Sequence, residues 1–96
     1  MNYAEALKTL RNIRDLSQRR LAQRTEIDHS YVSMIEAGRR VPSVEILERL
    51  CRTLEVPLSV FMLLASDQKD LRGIEVQHAK DIAMSLIDIA DEASQL

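Results

Sequence analysis

Residues 18–35 read QRRLAQRTEIDHSYVSMI, and this stretch decides the fold. Its apolar spacing predicts two short helices, about 18–24 and 28–37, separated by a three-residue break. A steep crossing of two such helices needs a small side chain where the backbones approach, and Ala22 supplies one. The positions expected to face inward are Leu21, Ala22, Ile27, Val32 and Ile35.

Helical spacing continues on both sides of this stretch. Ser17, Asp28 and Ser43 are typical N-caps, Pro57 suits the first turn of a helix, and Gly38 suits a left-handed helix end. The predicted helices span about 3–14, 18–24, 28–37, 44–54, 57–64 and 75–93. We therefore expect an all-α fold, a five-helix bundle with an additional C-terminal helix. The expected units are a bundle over residues 1–65, a polar linker at 66–73 and a C-terminal helix at 74–96.

The charge of the chain is divided unevenly along its length. The net charge of the 96 residues is −2, which by itself disfavours a nucleic-acid-binding protein. Residues 1–65, however, carry ten Lys/Arg against eight Asp/Glu, and residues 66–96 carry three against seven. The front part is thus mildly basic and the tail acidic, so the two parts have to be judged separately.

Several classes of protein are disfavoured by the composition. Cys51 is the only cysteine and falls in an apolar helical pattern, which predicts a buried structural thiol and no disulfide or multi-cysteine zinc site. We see no His-x-x-x-His pair, Gly-rich phosphate loop or nucleophile motif, so we expect no enzyme, no catalytic residue, no metal and no cofactor. Without an apolar leader or membrane span, a cytoplasmic protein that does not contact membranes is expected.

A set of short motifs occurs in a fixed order along the front part. The motifs are Leu7-Lys8-x-Leu10-Arg11, Leu16-Ser17-Gln18-x-x-Leu21-Ala22, Ile27-x-x-Ser30-x-Val32-Ser33-x-Ile35-Glu36-x-Gly38-Arg39-Arg40 and Pro42-Ser43. From about Leu7 to Phe61 the chain resembles the Cro/lambda-repressor-like (XRE-type) helix-turn-helix family of bacteria and their phages. The resemblance implies binding of double-stranded DNA, with helix 28–37 in the major groove.

Two positions depart from the family pattern. The family usually has glycine where this chain has Asp15 and Glu26, at a helix end and in the turn between the two central helices. A non-glycine residue in a left-handed conformation costs about 1–2 kcal/mol. We therefore expect the turn at Glu26 to follow a slightly different path.

The resemblance also implies roles for individual residues. The residues expected to reach base edges are His29, Ser30, Ser33 and Met34. The residues expected to contact phosphates are Gln18, Arg19, Tyr31, Arg39 and Arg40. Arg11 and Glu36 are expected to form a structural ion pair. Because no Arg or Gln fork occupies the base-facing side, we expect modest discrimination between bases.

The C-terminal helix carries a coiled-coil-like apolar seam of Ile82, Leu86, Ile89 and Ala93. A seam this short must pack on something. It could fold back on the helix around Phe61, or pair with its copy across a twofold axis. We favour a homodimer interface, because two helix-turn-helix units reading two half-sites are the usual arrangement.

The leading interpretation is a sequence-specific DNA-binding transcriptional regulator, a dimeric repressor. One alternative is an antitoxin that regulates its own operon and holds a protein partner with the acidic C-terminal helix. A related DNA-binding alternative is the controller of a restriction–modification operon. Another is a protein-interaction module that keeps the fold without binding DNA.

Overall fold

The computed structural model describes residues 1–94, and in this part of the chain all regular secondary structure is α-helical, as expected. The six helices are α1 (Tyr3–Ile13), α2 (Gln18–Thr25), α3 (His29–Glu36), α4 (Val44–Leu54), α5 (Leu58–Ala65) and α6 (Val76–Ser94). The C-terminal helix was expected at 74–96, and residues 95–96 of that range lie outside the described residues. None of the described helices is long and apolar enough to cross a membrane.

Side-chain caps fix where the helices begin. The side chains of Ser17, Asp28 and Ser43 each accept a hydrogen bond from a backbone N–H of the first turn that follows. These three predicted N-caps are therefore confirmed. Pro57 stands one residue outside α5, as its N-cap, rather than within the first turn.

Left-handed residues close several of the helices. Gly38 follows α3 with φ +74°, as predicted, while Asp15, Glu26 and Glu55 adopt φ values of 56°, 61° and 56°. The expected change of path at Glu26 is wrong, because the turn keeps its left-handed residue. Glu26 caps α2, its N–H bonding back to the carbonyl of Gln23 at 3.2 Å. The strain of a side chain in this conformation is accepted at three positions.

One core joins α1 to α5. Its fully buried side chains include Leu7, Leu10, Leu21, Val32, Ile35, Leu50, Leu54 and Phe61. Cys51 is 3% exposed, and burial raises the pKa of its thiol to about 11. Val44 shares the helical spacing of the buried Leu47 but is 64% exposed, because it is the first residue of α4 and lies one turn before the buried row begins.

Helix α6 folds back onto α5 with one row of side chains. Ala79, Ala83 and Ile87 are buried, while Ile82, Leu86, Ile89 and Ala93 remain exposed. The fold-back therefore uses a row next to the predicted seam, and the seam itself stays on the surface. Two ion pairs hold α6 to α1, Lys80 with Glu5 at 3.4 Å and Asp91 with Arg14 at 2.7 Å.

Candidate nucleic-acid interface

Helix α3 has one buried face and one exposed face. Val32, Ile35 and Glu36 are buried against the bundle, where α3 lies beside both α1 and α2. On the outer side, His29, Ser30 and Ser33 are exposed and Met34 is half-buried. The structure thus places all four predicted base-contacting residues on the accessible part of one helix.

The start of α3 is fixed by its N-cap. Oδ1 of Asp28 accepts hydrogen bonds from the Ser30 hydroxyl at 2.7 Å and from the Ser30 backbone N–H at 2.8 Å. These two bonds hold the pKa of Asp28 below its ordinary value, so the carboxylate is ionised at neutral pH. Because the Ser30 proton is directed at Asp28, the hydroxyl offers its lone pairs to the outside.

A buried ion pair ties α3 to α1. Arg11 Nε donates to Glu36 Oε2 at 2.8 Å, and Arg11 Nη2 donates to Glu36 Oε1 at 2.9 Å. A third donor, Arg11 Nη1, bonds the carbonyl of Leu16 at 2.8 Å. The bond to Glu36 raises the pKa of Arg11 above its usual range. The predicted structural pair is thus present as a two-pronged contact that fixes the inner side of α3.

Gln18 joins this pair from the first residue of α2. Its Nε2 donates to Glu36 Oε1 at 3.2 Å, and the side chain is half-buried. The amide predicted to contact a phosphate is therefore engaged inside the bundle. At the start of α2, Ser17 Oγ accepts a hydrogen bond from the N–H of Arg20 at 3.0 Å, and a helix N-terminus of this kind favours a nearby anion.

The other predicted phosphate residues lie around α3. Arg19 and Arg39 are exposed, and within residues 1–94 neither has a carboxylate within 4.0 Å. The guanidinium carbon of Arg40 lies 4.4 Å from the centre of the Tyr31 ring. The structure thus brings Tyr31 and Arg40 together, a contact that sequence spacing did not indicate.

Two arginines that make long-range contacts were missed by the sequence analysis, and one of them, Arg49, supports the site. Arg49 Nη2, on α4, donates to the carbonyls of Thr25 and Glu26 at 2.8 and 2.9 Å, which anchors the turn before α3. Arg14 donates to the Leu54 carbonyl at 2.7 Å and to Asp91. No local motif marks either residue, because their partners are more than 20 positions away in the chain.

Metal ligation has no candidate among the described residues, since no group of three or more His, Cys, Asp or Glu side chains converges there. The arrangement offers an anchored helix with a polar outer face and three arginines around it. That combination suits contact with a polyanion.

Comparisons with known proteins agree with this geometry. The Transcriptional regulator ClgR of Mycobacterium tuberculosis is 31% identical over 64 residues, which are 67% of this chain and 57% of that protein. An uncharacterized HTH-type transcriptional regulator of the same organism is 26% identical over 90 residues, 94% of this chain and 62% of that protein. The chain thus spans 57–62% of the length of these relatives. No solved structure gives a significant match.

The family model described as Helix-turn-helix matches residues 7–61, the same segment on which the sequence resemblance rests. This match covers more than half of the chain and includes α2, α3 and the turn between them. The chain belongs to the XRE-type helix-turn-helix family.

Proposed function

We propose that this chain is a transcriptional regulator that binds double-stranded DNA. Residues 28–37, which comprise α3 and one residue on either side, lie in the major groove. The observation that carries the proposal is the division of α3 into a face locked by the Arg11–Glu36 pair and an unobstructed outer face. A helix held rigidly on one side and free on the other can enter the groove without reorganisation. The names of both relatives, which are transcriptional regulators, support the regulatory role.

Base recognition in this proposal depends on small and apolar groups. With its proton committed to Asp28, Ser30 acts as an acceptor and favours the amino groups of adenine or cytosine. Met34 suits a thymine methyl, and His29 and Ser33 add single hydrogen bonds. Each contact is worth the low end of about 1–3 kcal/mol of discrimination, because no side chain makes a bidentate contact.

Phosphate contacts provide most of the affinity. Arg19 lies in the first turn of α2, Arg39 lies just past the end of α3, and both are exposed. Arg40 is presented beside Tyr31. Gln18 contributes through the N-terminal N–H groups of α2, since its side chain is bound to Glu36.

We propose a homodimer in which a second copy covers the exposed seam of α6. Ile82, Leu86, Ile89 and Ala93 form an apolar ridge, with Ile89 61% exposed. Leu86, Ile89 and Ala93 of this ridge also form one wall of a groove of about 290 Å³, whose other lining residues are Glu55, Val56, Pro57, Val60, Ile87 and Ala90. An isologous interface uses the same surface of both copies, so pairing across a twofold axis would cover this apolar wall in each copy.

The test is selection of bound sequences from a random duplex pool. Regulation through two half-sites predicts an enriched palindrome with half-sites about 10 base pairs, or a multiple, apart. Affinity should fall steeply with added salt. A chain with no salt-dependent affinity for any duplex would instead be a protein-interaction module.

The sign of regulation is proposed as repression by steric occlusion of a promoter. The measurement is transcription in vitro from a promoter that contains the selected site, with and without the protein. Loss of transcript supports repression, and increased transcript contradicts it. The antitoxin alternative predicts a partner protein that co-purifies through α6, or a toxin gene beside this one. The restriction–modification alternative predicts restriction and modification genes beside it.

A further inference from the structure

The chain reverses direction directly after α3. The N–H of Gly38 bonds the Ile35 carbonyl at 3.0 Å, and the N–H of Arg39 bonds the Met34 carbonyl at 2.9 Å. This pair of bonds around a left-handed glycine is a Schellman ending. It turns the chain away from the axis of α3, and the long side chain of the next residue, Arg40, reaches the ring of Tyr31 in the first turn of the helix.

The Tyr31 ring fixes the position of the Arg40 guanidinium. Tyr31 is half-buried and packs against the hydrophobic core, so its ring is held in place. The guanidinium of Arg40 lies over this ring at 4.4 Å, within the range of a cation–π contact. In the described part of the chain, no carboxylate lies within salt-bridge distance of Arg40. The ring therefore orients a cation whose charge is not neutralised.

We propose that Tyr31 is a positioning residue that holds Arg40 for a DNA phosphate beside α3. A guanidinium stacked by one face keeps its N–H groups in the plane, where they can fork onto two phosphate oxygens. An unstacked arginine would lose side-chain entropy on binding, which the stack has already removed. The inference rests on the proposed DNA binding and replaces the direct phosphate contact expected of Tyr31 with an action through Arg40.

The test is a double-mutant cycle read by fluorescence anisotropy on a mixed-sequence DNA duplex at several salt concentrations. Arg40→Ala should weaken binding about three- to tenfold and lower the salt slope by about one. Tyr31→Leu should weaken binding to a similar or smaller extent, and Tyr31→Phe, which keeps the ring, should restore it. In the Arg40→Ala background Tyr31→Leu should have no further effect. In the Arg39→Ala background it should keep its full effect.

Arg40→Lys is a second variant that does not disturb the core. Lysine keeps the charge but lacks the planar group, so affinity should drop while the salt slope stays unchanged. Thermal melting confirms that each variant is folded before binding is compared.

Two results overturn the inference. One is a Tyr31→Phe variant as weak as Tyr31→Leu, which would assign the effect to the hydroxyl. The other is a Tyr31→Leu effect that is the same with and without Arg40. An unmodified protein without salt-dependent duplex affinity would overturn the proposed function itself, which separates the two failures.

Discussion

Glu36 lies inside the bundle with both carboxylate oxygens on the guanidinium of Arg11, at 2.8 and 2.9 Å, and its side chain is 2% exposed. The pair connects the last turn of α3 to the last turn of α1. It is also the place where α2 joins them, through Gln18. The helices α1, α2 and α3 are thus joined at one carboxylate.

Substitution of Glu36 should therefore lower the free energy of unfolding. Glu36→Ala leaves the Arg11 charge in a largely buried position and is expected to cost about 3–5 kcal/mol of the free energy of unfolding. Urea denaturation followed by circular dichroism measures this loss. Glu48→Ala, on the exposed side of α4, is the matched control and should change stability by less than about 0.5 kcal/mol. Equal midpoints for both variants would contradict a structural role of the pair.

Replacing Glu26 with glycine should increase the stability of the fold. Glu26→Gly removes the side chain from a left-handed residue at φ 61° and should stabilise the chain by about 1 kcal/mol. The backbone carbonyl that Arg49 binds is kept. The same change at Glu48, in the interior of α4, should cost about 1 kcal/mol, because glycine there loses helical propensity. Opposite shifts of the melting temperature are expected, and a loss at both positions would contradict the strained turn.

The seam of α6 predicts how the chain associates. Ile89→Asp places a charge on the proposed interface without entering the core, so it should convert a dimer to a monomer in light scattering. Ile13→Asp introduces the same change at another exposed isoleucine and should leave the mass unchanged. An Ile89→Asp protein that stays dimeric would place the interface elsewhere. Deletion of residues 74–96 is a poorer test, since it also uncovers the part of α5 that Ala83 and Ile87 cover.

Salt separates association from DNA binding. Residues 66–96 carry seven Asp/Glu against three Lys/Arg, so two tails repel each other and screening should favour the dimer. Binding to DNA should weaken over the same range.

Acid should loosen α6 from the bundle. The hydrogen bonds from Arg14 hold the pKa of Asp91 below its ordinary value of 3.8. A carboxyl whose pKa is lowered on folding contributes stability above its unfolded value, and that contribution is lost as the pH falls from about 3.8 through the lowered pKa. Asp91→Asn should flatten this part of the melting temperature–pH profile, whereas Asp88→Asn, at an exposed position of α6, should not. Identical profiles for the two variants would contradict the contact.

Base and phosphate contacts should respond differently to substitution. His29→Ala and Met34→Ala are expected to change the preference at particular bases in the selected site. Arg40→Ala should weaken all sequences alike and lower the salt slope by about one. Binding to the selected site and to single-base variants of it measures both effects. If all three variants weakened every sequence equally, the base-contacting role of His29 and Met34 would be wrong.

Much of the fold could be predicted because its signals are local. Gly38 and the N-caps Ser17, Asp28 and Ser43 act within three or four residues of their own position, and residue type alone indicates them. The left-handed Glu26 could not be predicted in the same way. Nothing in a glutamate favours that conformation, so the packing on either side of the turn imposes it.

The register of α6 was not predictable from its pattern. Two apolar rows lie side by side on that helix, and spacing alone does not distinguish them. The row with Ala79 and Ala83 packs on α5 because small side chains allow close approach, which leaves the row with Ile82 and Leu86 outside. The stack of Arg40 on Tyr31 likewise depends on a chain reversal that no spacing rule encodes.

Cys51 is a built-in probe of local unfolding. It is the only thiol in the chain and lies buried in the last turn of α4. Burial raises its pKa to about 11, so at neutral pH almost none of it is ionised. A thiol reagent needs an accessible thiolate, so it reacts with this side chain only while α4 is detached from the bundle. Its rate of modification therefore reports how often the helices that position α3 come apart.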